Sequence, residues 1–204
     1  MPLYRDYSDD KASILIWKYD ESDHLTIENL LEEENFEKVK DYHPKKLLEV
    51  LMVRQLLKTL KPESKILYQD REPFLSPKDA EISITHSYPF AAIAISQGKI
   101  GIDIEKFSPK ILRVKDKFTY ENERGFIPEN KEETFLTIIW SVKESMYKLH
   151  HSKHWSLKKH YEVRPFELEY LDSIQCRVHD ETSSDELKAR VKFFEDYCFT
   201  IVEE

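Results

Sequence analysis

Cysteine is scarce: Cys176 and Cys198 are the only two in 204 residues. That excludes a disulfide framework, and the pair does not form C-x-x-C, so reduced thiols in a reducing compartment are expected. An excess of positive charge is lacking too. With 31 Lys and Arg against 39 Asp and Glu, the formal net charge is -8, which argues against a general nucleic-acid binder, because phosphate backbones need concentrated cations. The longest apolar stretches, such as residues 90–95, fall far short of the ~18 residues that span a bilayer. The start, M-P-L-Y-R-D-Y-S-D-D-K, is acidic and has no apolar core, so no secretory signal is expected. A soluble, cytoplasmic protein is expected. Glycine occurs three times in all.

What is present is enough to fold. The chain is 40% hydrophobic and 12% aromatic, and its length suits one domain or two small joined halves. Helical and strand-like pieces alternate without low-complexity segments, long linkers or a convincing internal repeat. Residues 13–18 read as a strand and 25–39 as an acidic helix. Pro44 opens a stronger helix over 45–60, which Pro62 ends. R-E-P-F-L-S-P reads as a loop, and 81–86, 90–96 and 99–106 read as three short strands. Residues 107–118 are charged, with Pro109 favouring a loop before any helix. Asn130 and Glu133 form a capping box for a helix running to about residue 149. The tail offers strand-like segments at 163–171, 174–179 and 193–202, separated by the polar turn D-E-T-S-S-D.

In I-G-I-D-I-E, residues 100–105, the isoleucines alternate with Gly101, Asp103 and Glu105. Residues i and i+2 of a strand share a face, so both carboxylates could meet one hard cation about 2 Å away. An edge strand with a solvated acidic face is the alternative. In the long helix, Phe135, Ile139, Val142, Met146 and Leu149 form a core-facing stripe. Glu144 and Lys148 lie opposite Val142, one turn apart. They read as a third acid and a cation for the same site, or as an ordinary exposed i,i+4 pair. Trp140 and Ser141 fall toward this polar side, and a large indole there implies that something covers it.

G-I-D-I-E at 101–105 followed by W-S-V-K-E-S-M-Y-K at 140–148, with Glu144 41 residues after Asp103, resembles the paired signature of the 4′-phosphopantetheinyl transferase superfamily. I-S-I-T-H-S at 82–87 is similar to the family's Ser-His-Ser strand end, with Thr85 in place of the first serine. L-L-E-V-L-M-V-R-Q-L-L at 47–57 resembles its arginine-bearing helix, with Lys45 and Lys46 just upstream. The length resembles the two-halved, Sfp-type members. The resemblance is firm over 82–148 and weak elsewhere.

The resemblance implies an α+β fold of two similar α/β halves in a pseudo-twofold arrangement, 1–98 and 99–204, with the active site between them. It implies Mg²⁺-dependent transfer of phosphopantetheine from coenzyme A to a serine of an acyl or peptidyl carrier protein, releasing adenosine 3′,5′-bisphosphate, by a monomer that uses neither nucleic acid nor membrane. Asp103, Glu105 and Glu144 would hold the metal. Lys148 would touch the pyrophosphate and serve catalysis with Glu144, which could also help to deprotonate the serine. Arg54, Thr85 and His86 would bind coenzyme A, supplemented by Lys45 and Lys46. The chain departs from the family at Arg71-Glu72-Pro73, where a Gly-Lys-Pro loop is usual; Arg71 stands as the substitute contact. Glu123, in F-T-Y-E-N-E-R, is left outside the catalytic set. A Mg²⁺-dependent phosphohydrolase and a catalytically silent coenzyme A or carrier-binding module are the alternatives. His150 and His154 have the i,i+4 spacing of a helical zinc pair but no acid between them.

Overall fold

The computed structural model describes residues 3–31, 33–154 and 156–204. They form a mixed α/β structure of two compact units, Met1–Gly98 and Lys99–Glu204.

The first unit contains β1 (Arg5–Asp6), β2 (Ala12–Lys18), α1 (Ile27–Leu30), α2 (Glu33–Val39), α3 (Pro44–Leu60), β3 (Lys65–Gln69), β4 (Glu72–Ser76), β5 (Glu81–Ser87) and β6 (Phe90–Ser96). Its main sheet has the order β1-β2-β6-β5, antiparallel throughout. β6 can sit in the middle because F-A-A-I-A-I is buried along its length; its alanines leave room on both faces. Pro44 occupies the first turn of α3, where its missing N–H costs nothing, and the His43 ring accepts from the Lys45 N–H. Met52, Val53, Leu56 and Leu57 of α3 then pack on Leu15, Trp17, Ala91 and Ile93.

The second unit contains β7 (Ile100–Lys106), α4 (Ile111–Phe118), α5 (Glu132–Leu149), α6 (Leu157–His160), β8 (Tyr161–Val163), β9 (Ile174–His179), β10 (Ser184–Phe194) and β11 (Tyr197–Glu203). Two 3₁₀ segments, Glu121–Phe126 and Glu129–Lys131, lie between α4 and α5. The sheet order is β7-β11-β10-β9-β8, again antiparallel. Ile138, Ile139, Val142 and Met146 of α5 share one core with Val163, Cys176, Val178, Leu187, Ala189, Val191 and Cys198 of the sheet. The stripe expected on this helix is buried as expected.

Several local expectations are corrected. The expected helix over 25–39 is two short helices, and Glu32 between them lies outside the described residues. R-E-P-F-L-S-P is not a loop: Glu72–Ser76 pairs with β3 in a two-stranded sheet, which tolerates Pro73 because that sheet has only edge strands. Asp70 and Arg71, both at positive φ, form the two-residue hairpin turn between them. Asn130 does not cap α5; it lies in a 3₁₀ turn, and Lys131 takes the cap position without a side-chain bond. At the start of the first 3₁₀ segment the Tyr120 N–H instead donates to the Glu123 carboxylate. Residues 164–171 are outside any strand, and 193–202 is broken by a turn at Glu195, which sits at positive φ. No helix among the described residues is long and apolar enough to cross a membrane.

Candidate active site

The second unit brings Asp103, Glu105, Glu144 and Lys148 together because α5 lies directly on β7. Gly101 permits this. A Cβ built there would fall 1.9 Å from the Ser145 carbonyl oxygen, far inside any tolerable contact, so only hydrogen fits between strand and helix. Small residues extend the same close approach across the neighbouring strand. Ser141 and Ser145 reach the Thr200 hydroxyl of β11 at 3.0 and 2.6 Å, and all three residues are fully buried. Ser141 therefore faces the sheet rather than the polar side assigned to it from the helical wheel.

Alternation along β7 puts Asp103 and Glu105 on the face of Gly101, toward α5. Asp103 is 5% exposed. The Lys148 ammonium donates to Asp103 Oδ1 at 2.8 Å and to the Ile102 carbonyl at 2.9 Å. Glu105 accepts the Trp140 indole N–H at 2.8 Å, and that ring packs edge-on against Phe118 with centroids 5.0 Å apart. The indole is thus covered, as its place on the helix implied. Burial, then the Asp103 and Glu144 charges, push the Glu105 carboxyl up to about 7, against the indole and Lys148. Burial and Asp103 likewise raise Glu144, against Lys148. These carboxylates feel one another, and one ammonium is shared among them.

Such a donor set fits a hard divalent cation. It is all oxygen, partly desolvated and mutually repelling, which a cation relieves and a neutral ligand does not. Among the described residues, no three His, Cys, Asp or Glu side chains are already gathered at ligating distances; Asp103 is engaged by Lys148 and Glu105 by Trp140.

Behind this cluster lies a second charged group. Lys143 and Glu123 are both fully buried and 2.8 Å apart. Lys143 also donates to the Phe118 carbonyl at 2.7 Å, and Glu123 accepts the Tyr120 and Val163 N–H groups at 2.6 and 2.8 Å. Burial pushes Glu123 up and Lys143 down, and each partner's charge opposes that loss.

The sequence model of the 4′-phosphopantetheinyl transferase superfamily matches residues 99–202. This chain belongs to that superfamily. The match spans the Asp103–Glu105 strand, the Glu144–Lys148 helix and the buried pair. A curated relative, the 4′-phosphopantetheinyl transferase gsp of Aneurinibacillus migulanus, is 32% identical over 117 residues. That alignment covers 54% of this chain and 49% of the relative, so the chain spans about half the length of the transferase it matches.

The remaining expected residues of this transferase-superfamily chain lie in the first unit. Arg54 is 3% exposed; it lies over the Tyr68 ring at 5.6 Å and donates to the Tyr68 hydroxyl at 3.4 Å. His86 pairs through Nδ1 with Glu49 at 3.2 Å, which ties β5 to α3. Thr85, its neighbour on the strand, is buried and points to the opposite face of the sheet. Lys45 lies 5.1 Å from the Tyr88 ring centroid and Lys46 4.1 Å from that of Tyr42. Arg71 is exposed at the tip of the β3–β4 hairpin. α5 ends at Leu149, so His150 and His154 are not on one helical face; His150 instead pairs with Asp185 at 2.8 Å and His154 with Asp180 at 3.5 Å.

Sequence reasoning named Glu123 but left it outside the catalytic set, and it missed Lys143, Glu49 and Tyr68. One signal was available: Lys143 follows Ile139 by four residues and so continues the buried stripe, where a lysine demands a partner.

Proposed function

We propose that this chain transfers 4′-phosphopantetheine from coenzyme A to a serine of an apo-carrier protein. The observation that carries the reading is the Asp103–Glu105–Glu144 cluster, with Lys148 reaching Asp103, inside the segment that the superfamily model matches. The serine oxygen forms a new bond to the phosphorus next to the pantetheine. The bridging P–O bond breaks, adenosine 3′,5′-bisphosphate leaves, and the serine proton passes to Glu144, directly or through water.

Asp103, Glu105 and Glu144 would hold Mg²⁺, which supplies charge neutralisation at the pyrophosphate. Lys148, whose ammonium reaches Asp103 Oδ1 at 2.8 Å, would touch the pyrophosphate and stabilise the leaving bisphosphate. Arg54, His86, Lys45, Lys46 and Arg71 would bind coenzyme A, with the Thr85 hydroxyl as an uncharged contact, and the basic side chains would supply the local positive charge that an acidic protein needs for a polyanionic substrate.

The test is a mass measurement. Apo-carrier incubated with coenzyme A, Mg²⁺ and this protein gains one phosphopantetheine; no gain across acyl, peptidyl and aryl carriers rejects the reading. Bisphosphate release without any carrier assigns a hydrolase instead, and tight coenzyme A binding without turnover assigns a silent binding module.

A further inference from the structure

We infer that Trp140 is a positioning residue: its indole N–H fixes the Glu105 carboxylate for cation binding, and Phe118 and the Glu123–Lys143 pair fix the indole. The inference rests on the cation site proposed above and goes beyond it by assigning a role to residues that touch neither substrate nor metal.

Glu105 needs such a device. Its carboxylate stands partly buried among Asp103 and Glu144, both of which repel it, and it ends a flexible side chain with three rotatable bonds. The Trp140 N–H at 2.8 Å selects one orientation, and an indole can only donate. Second-contact hydrogen bonds of this kind orient metal-binding carboxylates and sustain their affinity.

The indole is itself held on its far side. Phe118 is 1% exposed and meets the ring edge-on, with planes at 72°, a favourable aromatic arrangement. Phe118 is the last residue of α4, and its carbonyl accepts Lys143 Nζ at 2.7 Å. Lys143 stands three residues after Trp140, on the neighbouring turn of α5. Its ammonium is locked by Glu123, which is tied to the backbone on both sides, at Tyr120 and at Val163 of β8. A continuous chain of contacts thus runs from β8 through Glu123, Lys143, Phe118 and Trp140 to Glu105.

The test is Mg²⁺ binding to the intact, metal-free protein by titration calorimetry, which does not depend on turnover. Trp140→Phe keeps an aromatic ring against Phe118 but removes the donor; Mg²⁺ affinity falls about 10- to 100-fold while the unfolding temperature stays close to wild type. In a Glu105→Ala background the same substitution adds no further loss, because the two act through one contact. Phe118→Leu, which keeps the indole N–H but loosens the ring, gives a smaller loss in the same direction and serves if Trp140→Phe does not fold. Trp140→Phe affinity within twofold of wild type overturns the inference alone, as does a full loss that persists without Glu105. Wild-type protein that takes up no Mg²⁺ rejects the proposed cation site, and the inference falls with it.

Discussion

Each unit lays one long helix on an antiparallel sheet, yet the two helices are seated differently. α3 rests on its sheet through Met52, Val53, Leu56 and Leu57, bulky side chains that hold helix and strands apart. α5 approaches through Gly101, Ser141, Ser145 and Thr200, so its backbone meets the edge strand. The electrostatics diverge in parallel. In the first unit the carboxyls of Asp6, Asp20 and Asp79 are exposed and held low by hydrogen bonds. Hydrogen bonds hold Asp180 of the second low as well, whereas Glu105, Glu123 and Glu144 of the second are pushed up by burial. Close seating is what desolvates acids, and desolvated acids are what a cation site requires.

The contrast breaks hardest at the buried pair. Lys143→Met leaves Glu123 buried without its counter-charge and lowers stability by about 3–5 kcal/mol; replacing both residues by apolar ones of similar volume recovers much of that loss. Denaturant unfolding of the single and double variants checks both statements. No pair of charged side chains in the first unit's described residues is fully buried, so Lys61→Met, at the exposed Asp79 pair, costs at most about 1 kcal/mol.

Gly101→Ala comes next. The added methyl must displace a helix backbone rather than a side chain, and overpacking of this kind costs about 1–3 kcal/mol. Gly98→Ala, where nothing lies within 4 Å, stays within about 0.5 kcal/mol of wild type. Equal midpoints for the two variants would show that close seating is not needed.

The proposed division of labour is read from kinetics. Glu144→Gln lowers kcat at least ~10²-fold, about 2.7 kcal/mol, while His86→Ala acts mainly by raising the KM for coenzyme A. A kcat loss in both with no change in KM would erase the distinction.

The last test is one of pH. Because the folded-state pKa of Glu105, about 7, lies above its reference of 4.5, the folded protein binds that proton more tightly than the unfolded chain does. The resulting stability is complete below pH 4.5 and is lost as pH rises toward 7, on the order of 3 kcal/mol. Metal-free protein shows this decline in denaturant titrations across that window, and Glu105→Gln flattens it.

Much of the second unit was legible because its signals are local. Alternation in 100–105 and the stripe from Phe135 to Leu149 each depend on residues a few positions apart, and the structure keeps both. The first unit was harder to read. Pro73 made an edge strand resemble a loop, and β3 carried no clear alternation. What the sequence could not show were partnerships between distant elements: Trp140 with Glu105, Glu123 with Lys143, His86 with Glu49. Ser141 misled for the same reason, since a hydroxyl counts as polar on a helical wheel but pairs with Thr200 inside the core.

Gly101 contributes to the site by what it leaves out. Anyone moving these acids to another scaffold would have to transplant a vacancy first: a sheet position bare enough for a helix backbone to touch it, without which the same carboxylates would stand in water and bind little.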